Sequence, residues 1–210
     1  MDIVSYLTEI YGYDTPIFIK DIRMGRKSKS AIREEFYRAS KSGRLERKSG
    51  GVYFIRSNKE FGSGITFNDI LDKKYLYASN VMLGLEKSFV EGYYSGQTFL
   101  NMIGISEQVP AIVEITTNRT SSKKRYFSSG KSVAIIRKSR TRITTENYKM
   151  LQFLDMFSFL TFEEVVRKKD IIANYVKNNN LTKEQLSQYM GIYGAQTIKK
   201  TALFFEESEI

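Results

Sequence analysis

The chain has 210 residues, of which 41% are apolar, and its 33 lysines and arginines outnumber its 23 acidic residues to give a formal net charge of +10. It contains no cysteine and no histidine, which excludes disulfides, thiolate nucleophiles, cysteine-ligated zinc and histidine general bases. We therefore expect a globular protein that is not an enzyme, that has no catalytic residues, metal site or cofactor, and whose basic charge favours nucleic acid as a partner.

The first 25 residues predict two helices separated by a break. Apolar residues recur at helical spacing over residues 2–12, and Pro16 then interrupts the pattern. The next segment gives a short apolar piece and a brief second helix, which Gly25 closes.

A basic helix and a hairpin follow. Ser28 is a plausible N-cap, and Ile32, Phe36 and Ala39 recur at the spacing of a buried helix face, with Gly43 in the position of a helix terminator. Residues 45–48 and 52–55 are strand candidates around a Ser-Gly-Gly turn. This order predicts a winged helix-turn-helix over residues 1–60; the alternative is a small α+β packing module without a nucleic-acid ligand.

Residues 61–210 predict a second, larger domain of mixed α/β structure that ends in helices, so the expected fold class is α+β. Residues 57–75 resemble a linker, 76–89 a helix, 111–116 a buried strand, and 125–128 with 132–137 a hairpin. Capping-box patterns begin two later helices at Thr161 and Thr182. Residues 181–201 imitate a second helix-turn-helix, but their weak positive charge favours a helical hairpin that packs the domain.

The winged helix-turn-helix predicts which residues would meet DNA. In this fold the N-terminal part of the third helix enters the major groove, and the wing reaches the minor groove or the backbone. We expect Lys27, Lys29 and Arg33 to position the helix, Ser30 and Tyr37 to meet bases, and Arg47 and Lys48 to clamp the duplex. The predicted DNA-binding residues are Lys27, Ser28, Lys29, Ser30, Arg33, Tyr37, Arg47, Lys48 and Ser49.

A second basic face lies between Glu114 and Glu146, where no acidic residue occurs. It could extend the DNA-binding surface, bind RNA or dock an anionic partner; the alternative is a solubilising strand edge. Its cations are Arg119, Lys123, Lys124, Arg125, Lys131, Arg137, Lys138, Arg140 and Arg142.

Two further features bear on whether the protein is a nuclease or a membrane protein. Glu114 on a predicted strand could belong to a metal-dependent nuclease, but Thr116 stands where such a core needs lysine, so a structural carboxylate is favoured. The richest apolar stretch, residues 150–162, contains Asp155 and is interpreted as a buried helix end. No apolar run reaches the ~18 residues of a membrane span, and no secretory signal is visible, which predicts a cytoplasmic protein without a membrane partner.

Two segments resemble the AbiE-type antitoxin family of bacterial abortive-infection systems. "REEFYRASKSGRLERKSGGVYFI" resembles the winged-helix signature of that family, and "YYSGQTFLNMIGISEQVPAIVEITTN" resembles the start of its second domain. The second segment departs from the common pattern at residues 101–103, where Asn-Met-Ile stands in place of a Leu-His-Gly-like sequence.

The resemblance implies a protein with two roles. The N-terminal domain would bind inverted repeats in double-stranded DNA of its own promoter and repress a toxin-antitoxin operon that defends against phage. The C-terminal domain would act as an antitoxin against a nucleotidyltransferase-like toxin without needing a stable complex. The alternatives are an RNA-binding or nucleic-acid-processing protein that uses the second basic face, and a pure interaction protein that docks an acidic partner.

Overall fold

The computed structural model describes residues 2–57, 64–79 and 88–208. Helices and strands are both present in quantity, so the expected α+β class is confirmed. The chain divides into two compact units, the first built on Met1–Lys74 and the second holding most of residues 75–210. Within the described ranges, no helix combines the length and the apolar character needed to cross a membrane.

The first unit follows the predicted order of elements with one difference. The predicted brief second helix is only a single turn of 3-10 helix, Ile19–Asp21. The other elements are helix α1 (Ile3–Tyr11), strand β1 (Ile17–Phe18), helix α2 (Lys29–Lys41), and strands β2 (Glu46–Ser49) and β3 (Val52–Phe54).

Strand β3 lies at the centre of a three-stranded sheet in the order β1-β3-β2. Both pairs are antiparallel, with Ile17 opposite Tyr53 and Glu46 opposite Phe54. The predicted hairpin is therefore confirmed, although its first strand lies one residue later than expected and its second ends one residue earlier.

Helix α2 is held by a cap, a buried stripe and a glycine stop. The Ser28 hydroxyl accepts a hydrogen bond from the Ala31 N–H (3.2 Å), which satisfies one of the free donors of the first turn. Ile32, Phe36 and Ala39 are 3%, 0% and 1% exposed and join the core of the first unit, as their spacing predicts. Gly43 has a φ of +73°, a conformation that favours glycine, and turns the chain into the hairpin.

The segment between the two units is more helical than a linker. Thr66 and Asp69 form a reciprocal capping box that begins helix α3 (Phe67–Leu71), and a π-helical segment, Asp72–Leu76, continues it. The predicted linker of residues 57–75 therefore gives way to a helix at Phe67, and its residues 58–63 lie outside the described part of the chain.

The prediction of a helix over residues 76–89 is wrong at both ends of that range, where the structure has strands. Strand β4 (Tyr77–Ser79) pairs antiparallel with strand β5 (Ser88–Val90), and the residues between them lie outside the described ranges. A short apolar run satisfies helical and strand spacing equally well, so here the pairing between distant segments decides the structure.

The second unit contains a four-stranded sheet in the order β6-β7-β9-β8. Strand β7 pairs antiparallel with β6 and parallel with β9, with Thr116 opposite Arg137. The predicted buried strand begins two residues later than expected, and the predicted hairpin is confirmed. The elements are β6 (Gly92–Tyr94), helix α4 (Gly96–Met102), β7 (Val113–Thr117), β8 (Lys124–Ser129) and β9 (Ser132–Lys138).

Helices complete the second unit and supply its main apolar core. Both predicted capping boxes are confirmed, at Thr161 and at Thr182. Phe153, Leu186 and Phe204 are fully buried in one cluster, so the segment that imitates a second helix-turn-helix contributes to packing. These helices are α5 (Tyr148–Met156), α6 (Phe162–Arg167), α7 (Lys169–Asn178), α8 (Lys183–Met190) and α9 (Ala195–Ser208).

Candidate nucleic-acid interface

Helix α2 presents one exposed side that carries only cationic and neutral polar groups. Lys29, Ser30, Arg33 and Tyr37 are all exposed, and the Tyr37 side chain is 59% accessible. At 3.6 residues per turn these four positions fall within an arc of about 100° on the helix. We name this surface the cationic side of α2.

The acidic residues of α2 lie outside this arc and are paired: Glu34 is exposed and falls about 40° beyond Ser30, and Glu35 is half-buried. Glu34 accepts a hydrogen bond from Arg38 Nε at 2.9 Å, and Glu35 forms a salt bridge with Lys27 Nζ at 2.6 Å. The structure thus places the Lys27 ammonium group apart from Lys29 and Arg33. Its salt bridge to Glu35 joins the loop before α2 to the helix. Its role in binding DNA stays a prediction.

Ser28 has a structural task of its own. Besides capping α2, its hydroxyl lies 2.9 Å from the Ser30 hydroxyl, so the two groups share a hydrogen bond at the helix start. The other first-turn N–H groups of a helix have no partner within it, and together with the helix dipole they attract an anion. The beginning of α2 is therefore suited to a phosphate.

The hairpin formed by β2 and β3, which we name the wing, projects two further cations. Arg47 and Lys48 are exposed, and Ser49 is half-buried. The pairing slips between Arg47 and Ser49, so Lys48 is the extra residue of a bulge and is free of the strand ladder. At the base of the wing Arg56 Nη2 contacts Glu46 Oε2 at 2.7 Å, and this contact holds the pKa of Glu46 below its ordinary value.

Four predicted contact residues keep their charge available. Across the described ranges, Lys29, Arg33, Arg47 and Lys48 form no salt bridge. No ion pair within those ranges therefore holds their charged groups.

The structure adds two cations to this surface that are not among the predicted DNA-binding residues. Lys20 and Arg23 line a small cavity of about 120 Å³ together with Lys29 and Arg33, between the 3-10 turn and α2. The Arg23 guanidinium is held there because it donates to the backbone carbonyl of Lys20 at 2.8 Å. Their place directly before the predicted third helix is the signal that could have revealed them.

The second basic face separates into two groups in the structure. Lys123, Lys124, Arg137, Lys138 and Arg140 surround one cavity of about 770 Å³. The remaining cations do not line this cavity: Arg125 donates to the Tyr75 hydroxyl at 2.9 Å, Arg119 pairs with Glu91, and Lys131 occupies the turn between β8 and β9, while Arg142 lines an adjoining cavity in the loop after β9.

Two buried carboxylates lie beside this cavity. Glu114 is 8% exposed and accepts a hydrogen bond from Arg137 Nη2 at 2.7 Å. Asp155, also 8% exposed, accepts hydrogen bonds from Tyr93 (3.4 Å) and Thr116 (3.3 Å), with Arg140 Nε at 3.7 Å. Sequence reasoning placed Asp155 in a buried helix without a role, although one acid in an apolar run was a usable signal.

No metal cluster accompanies these carboxylates. In the part of the chain that the structure describes, no three acidic groups lie close enough together to hold a metal ion. Glu114 has the contacts expected of a structural carboxylate, because it pairs with Arg137 and receives a long hydrogen bond from the Gln97 N–H at 3.4 Å.

The Asp155 carboxyl gives the stability of the chain a predictable pH dependence. Burial raises the pKa of Asp155, while the nearby Arg140 acts in the opposite direction. As pH rises, the unfolded chain ionises this group first, so its contribution to stability falls between the ordinary and the raised pKa and stays lower above them. We expect the free energy of unfolding of Asp155→Asn, relative to wild type, to increase between pH ~3 and pH ~7. Urea denaturation at both pH values measures this difference, and an unchanged or falling difference contradicts it.

Compared with known proteins, the chain matches no family model and no curated protein at a significant level.

Proposed function

We propose that the chain is a transcriptional repressor that binds double-stranded DNA through a winged helix-turn-helix formed by its first unit. One observation carries the proposal. Helix α2 holds Lys29, Ser30, Arg33 and Tyr37 within one exposed arc, whereas Glu34 and Glu35 lie outside that arc and are paired with Arg38 and Lys27. The exposed arc therefore carries two cations and two neutral polar groups and no acidic residue.

The order of elements supports this proposal. A helix, a short strand, a turn, a second helix and a hairpin follow one another, and the first strand pairs with the last. Helix α2 has 13 residues, so its length of roughly 20 Å is sufficient to cross a major groove about 12 Å wide. A helix-turn-helix places a short helix directly before the recognition helix. Here that position is taken by the single 3-10 turn, so this helix of the motif is shorter than usual.

In the proposed complex the residues divide by role. Lys29 and the start of α2 contact phosphates, while Arg33, Ser30 and Tyr37 reach the edges of bases. Arg47 and Lys48 extend the contact through the wing to the sugar-phosphate backbone.

The wing predicts a defect that does not depend on DNA sequence. We expect the double variant Arg47→Ala/Lys48→Ala to weaken binding to the upstream promoter duplex and to an unrelated duplex by similar factors, because phosphate contacts carry no sequence information. Lys177→Ala/Lys199→Ala removes the same charge from exposed positions on α7 and α9 and serves as the control. A gel-shift titration measures both; equal losses in the two variants would remove the wing from the interface.

The biological setting of this proposal rests on the family resemblance. The chain would repress its own operon in the cytoplasm and counteract a nucleotidyltransferase-like toxin encoded beside it, without a stable complex. Expression of that neighbouring gene should stop growth, and co-expression of the full chain should restore it. Rescue should survive loss of DNA binding by Lys29→Ala/Arg33→Ala; a neighbouring gene that is harmless, or growth that stays arrested, would contradict the antitoxin role.

A further inference from the structure

We propose that the second unit binds single-stranded nucleic acid in a cationic groove that the double-stranded DNA site does not use. The groove consists of two adjoining cavities of about 770 and 530 Å³, which share Lys138, Ser139 and Arg140. It runs from the start of β8, past the end of β9, to Arg142 in the following loop. Adjoining cavities with a shared cationic rim suit an extended polyanion better than a small, compact anion.

The charges of the groove are mainly positive. Lys123, Lys124 and Lys138 are exposed, and across the described residues they form no salt bridge. Against the five cations of the larger cavity stand two buried carboxylates, Asp155 in its lining and Glu114 behind Arg137, and Glu91 in the lining of the smaller cavity is paired with Arg119. A concave surface lined by one sign of charge raises the local concentration of an oppositely charged ligand.

Two arginines of the groove are held in place before any ligand binds. Arg137 is fixed by its hydrogen bond to Glu114 at 2.7 Å. The Arg140 guanidinium lies 5.0 Å from the centre of the Tyr193 ring and close to Asp155. The two buried carboxylates therefore position the guanidinium groups, which reduces the side-chain entropy lost when they contact phosphate.

The loop after β9 is fastened to the end of β7. Asn118 Oδ1 accepts hydrogen bonds from the Ser139 hydroxyl (3.0 Å) and the Ile143 N–H (2.9 Å), and Asn118 Nδ2 donates to the Ile143 carbonyl at 2.8 Å. Ser139 and Arg140 therefore lie on an anchored segment. Hydrogen bonds within the fold therefore fix the position of the rim that the two cavities share.

An exposed aromatic ring lies beside the groove. Tyr126 is 62% accessible and shares a face of β8 with Lys124, whose Nζ lies 5.4 Å from the centre of the ring. A charged groove that follows the backbone, combined with an aromatic ring for stacking, is how proteins hold single strands. A duplex offers neither unstacked bases nor a backbone that can enter a recess, so the geometry favours the single strand.

The test uses the full chain and fluorescence anisotropy with labelled ten-nucleotide RNA and DNA single strands of the same mixed sequence. Wild type should bind at least one of them in a salt-dependent manner, and the tighter one identifies the nucleic acid. Lys124→Ala/Lys138→Ala should weaken binding at least 10-fold, and Tyr126→Ala should weaken it by roughly 5- to 150-fold, the range for loss of one stacked base.

Three comparisons decide the outcome. Lys29→Ala/Arg33→Ala should leave single-strand binding unchanged, which separates this groove from the proposed duplex site. Lys177→Ala/Lys199→Ala, the matched loss of two positive charges, should do the same. The proposal is overturned if the groove variants bind single strands as wild type does, if they lose duplex binding instead, or if ATP displaces the oligonucleotides at a lower concentration than unlabelled strand does.

Discussion

Replacing Lys29 and Arg33 together by alanine should weaken binding of the upstream promoter duplex by at least about 5-fold, since an arginine that contacts a base contributes about 1–3 kcal/mol and the phosphate contact of Lys29 adds to that loss. Both side chains are exposed and lack a salt bridge in the described part of the chain, so their removal leaves no buried partner unsatisfied. Alanine is also favourable in a helix interior. The loss should therefore appear in binding and not in folding.

Arg38→Ala is the matched control for this variant. It removes a cation from the same helix, but from the side on which Arg38 pairs with Glu34 at 2.9 Å and remains 74% exposed. We expect less than a threefold change in affinity for DNA, because Arg38 faces away from the proposed interface. Loss of its exposed ion pair should lower the stability of the protein by at most about 1 kcal/mol. An Arg38→Ala defect as large as that of the double variant would mean that α2 is oriented differently on DNA.

The largest expected loss of stability from a minimal change is that of Gly92→Ala. A Cβ atom at Gly92 would lie 2.4 Å from the Tyr75 carbonyl oxygen and 2.9 Å from the Thr116 carbonyl oxygen. Both neighbours are backbone atoms, and the Tyr75 carbonyl also accepts a hydrogen bond from the Thr117 hydroxyl at 2.6 Å. Accommodating the methyl group must displace β6 from β7 or break that contact, at a cost of about 3 kcal/mol.

Gly191→Ala is the control for this substitution. Gly191 ends helix α8 with a φ of −62°, and a Cβ there would meet nothing within 4 Å. We expect it to leave stability unchanged or to raise it by up to about 1 kcal/mol, because alanine restricts the unfolded chain more than glycine does. Urea denaturation of the two variants compares them directly. A Gly92→Ala protein as stable as wild type would contradict the close packing of β6 against Tyr75.

Local signals predicted the parts of the fold whose causes are local. Helix α2 could be predicted because a serine cap, an apolar stripe and a terminating glycine all lie within 16 residues, from Ser28 to Gly43. The capping boxes at Thr161 and Thr182 were predictable for the same reason, since each is complete within four residues. Such short-range patterns need no knowledge of the rest of the chain.

The remaining features depend on contacts between distant residues. Tyr77 is a strand residue because Val90 pairs with it, and no local pattern indicates that pairing. The parallel pairing of β7 with β9 likewise joins Thr116 to Arg137 across the intervening strand. This pairing, together with α5, brings Asp155 beside Arg140, so the groove could not be predicted from the spacing of its cations.

The central claim is that the cationic side of α2 contacts DNA, and the salt dependence of binding to the upstream duplex tests it most directly. For wild type, log Kobs should fall steeply with log salt concentration, because each phosphate contact contributes a slope of about −0.9. In Lys29→Ala/Arg33→Ala the slope should become shallower by between about 1 and 2, while Arg38→Ala should retain the wild-type slope. A wild-type slope near zero, or identical slopes for wild type and the double variant, would contradict the claim.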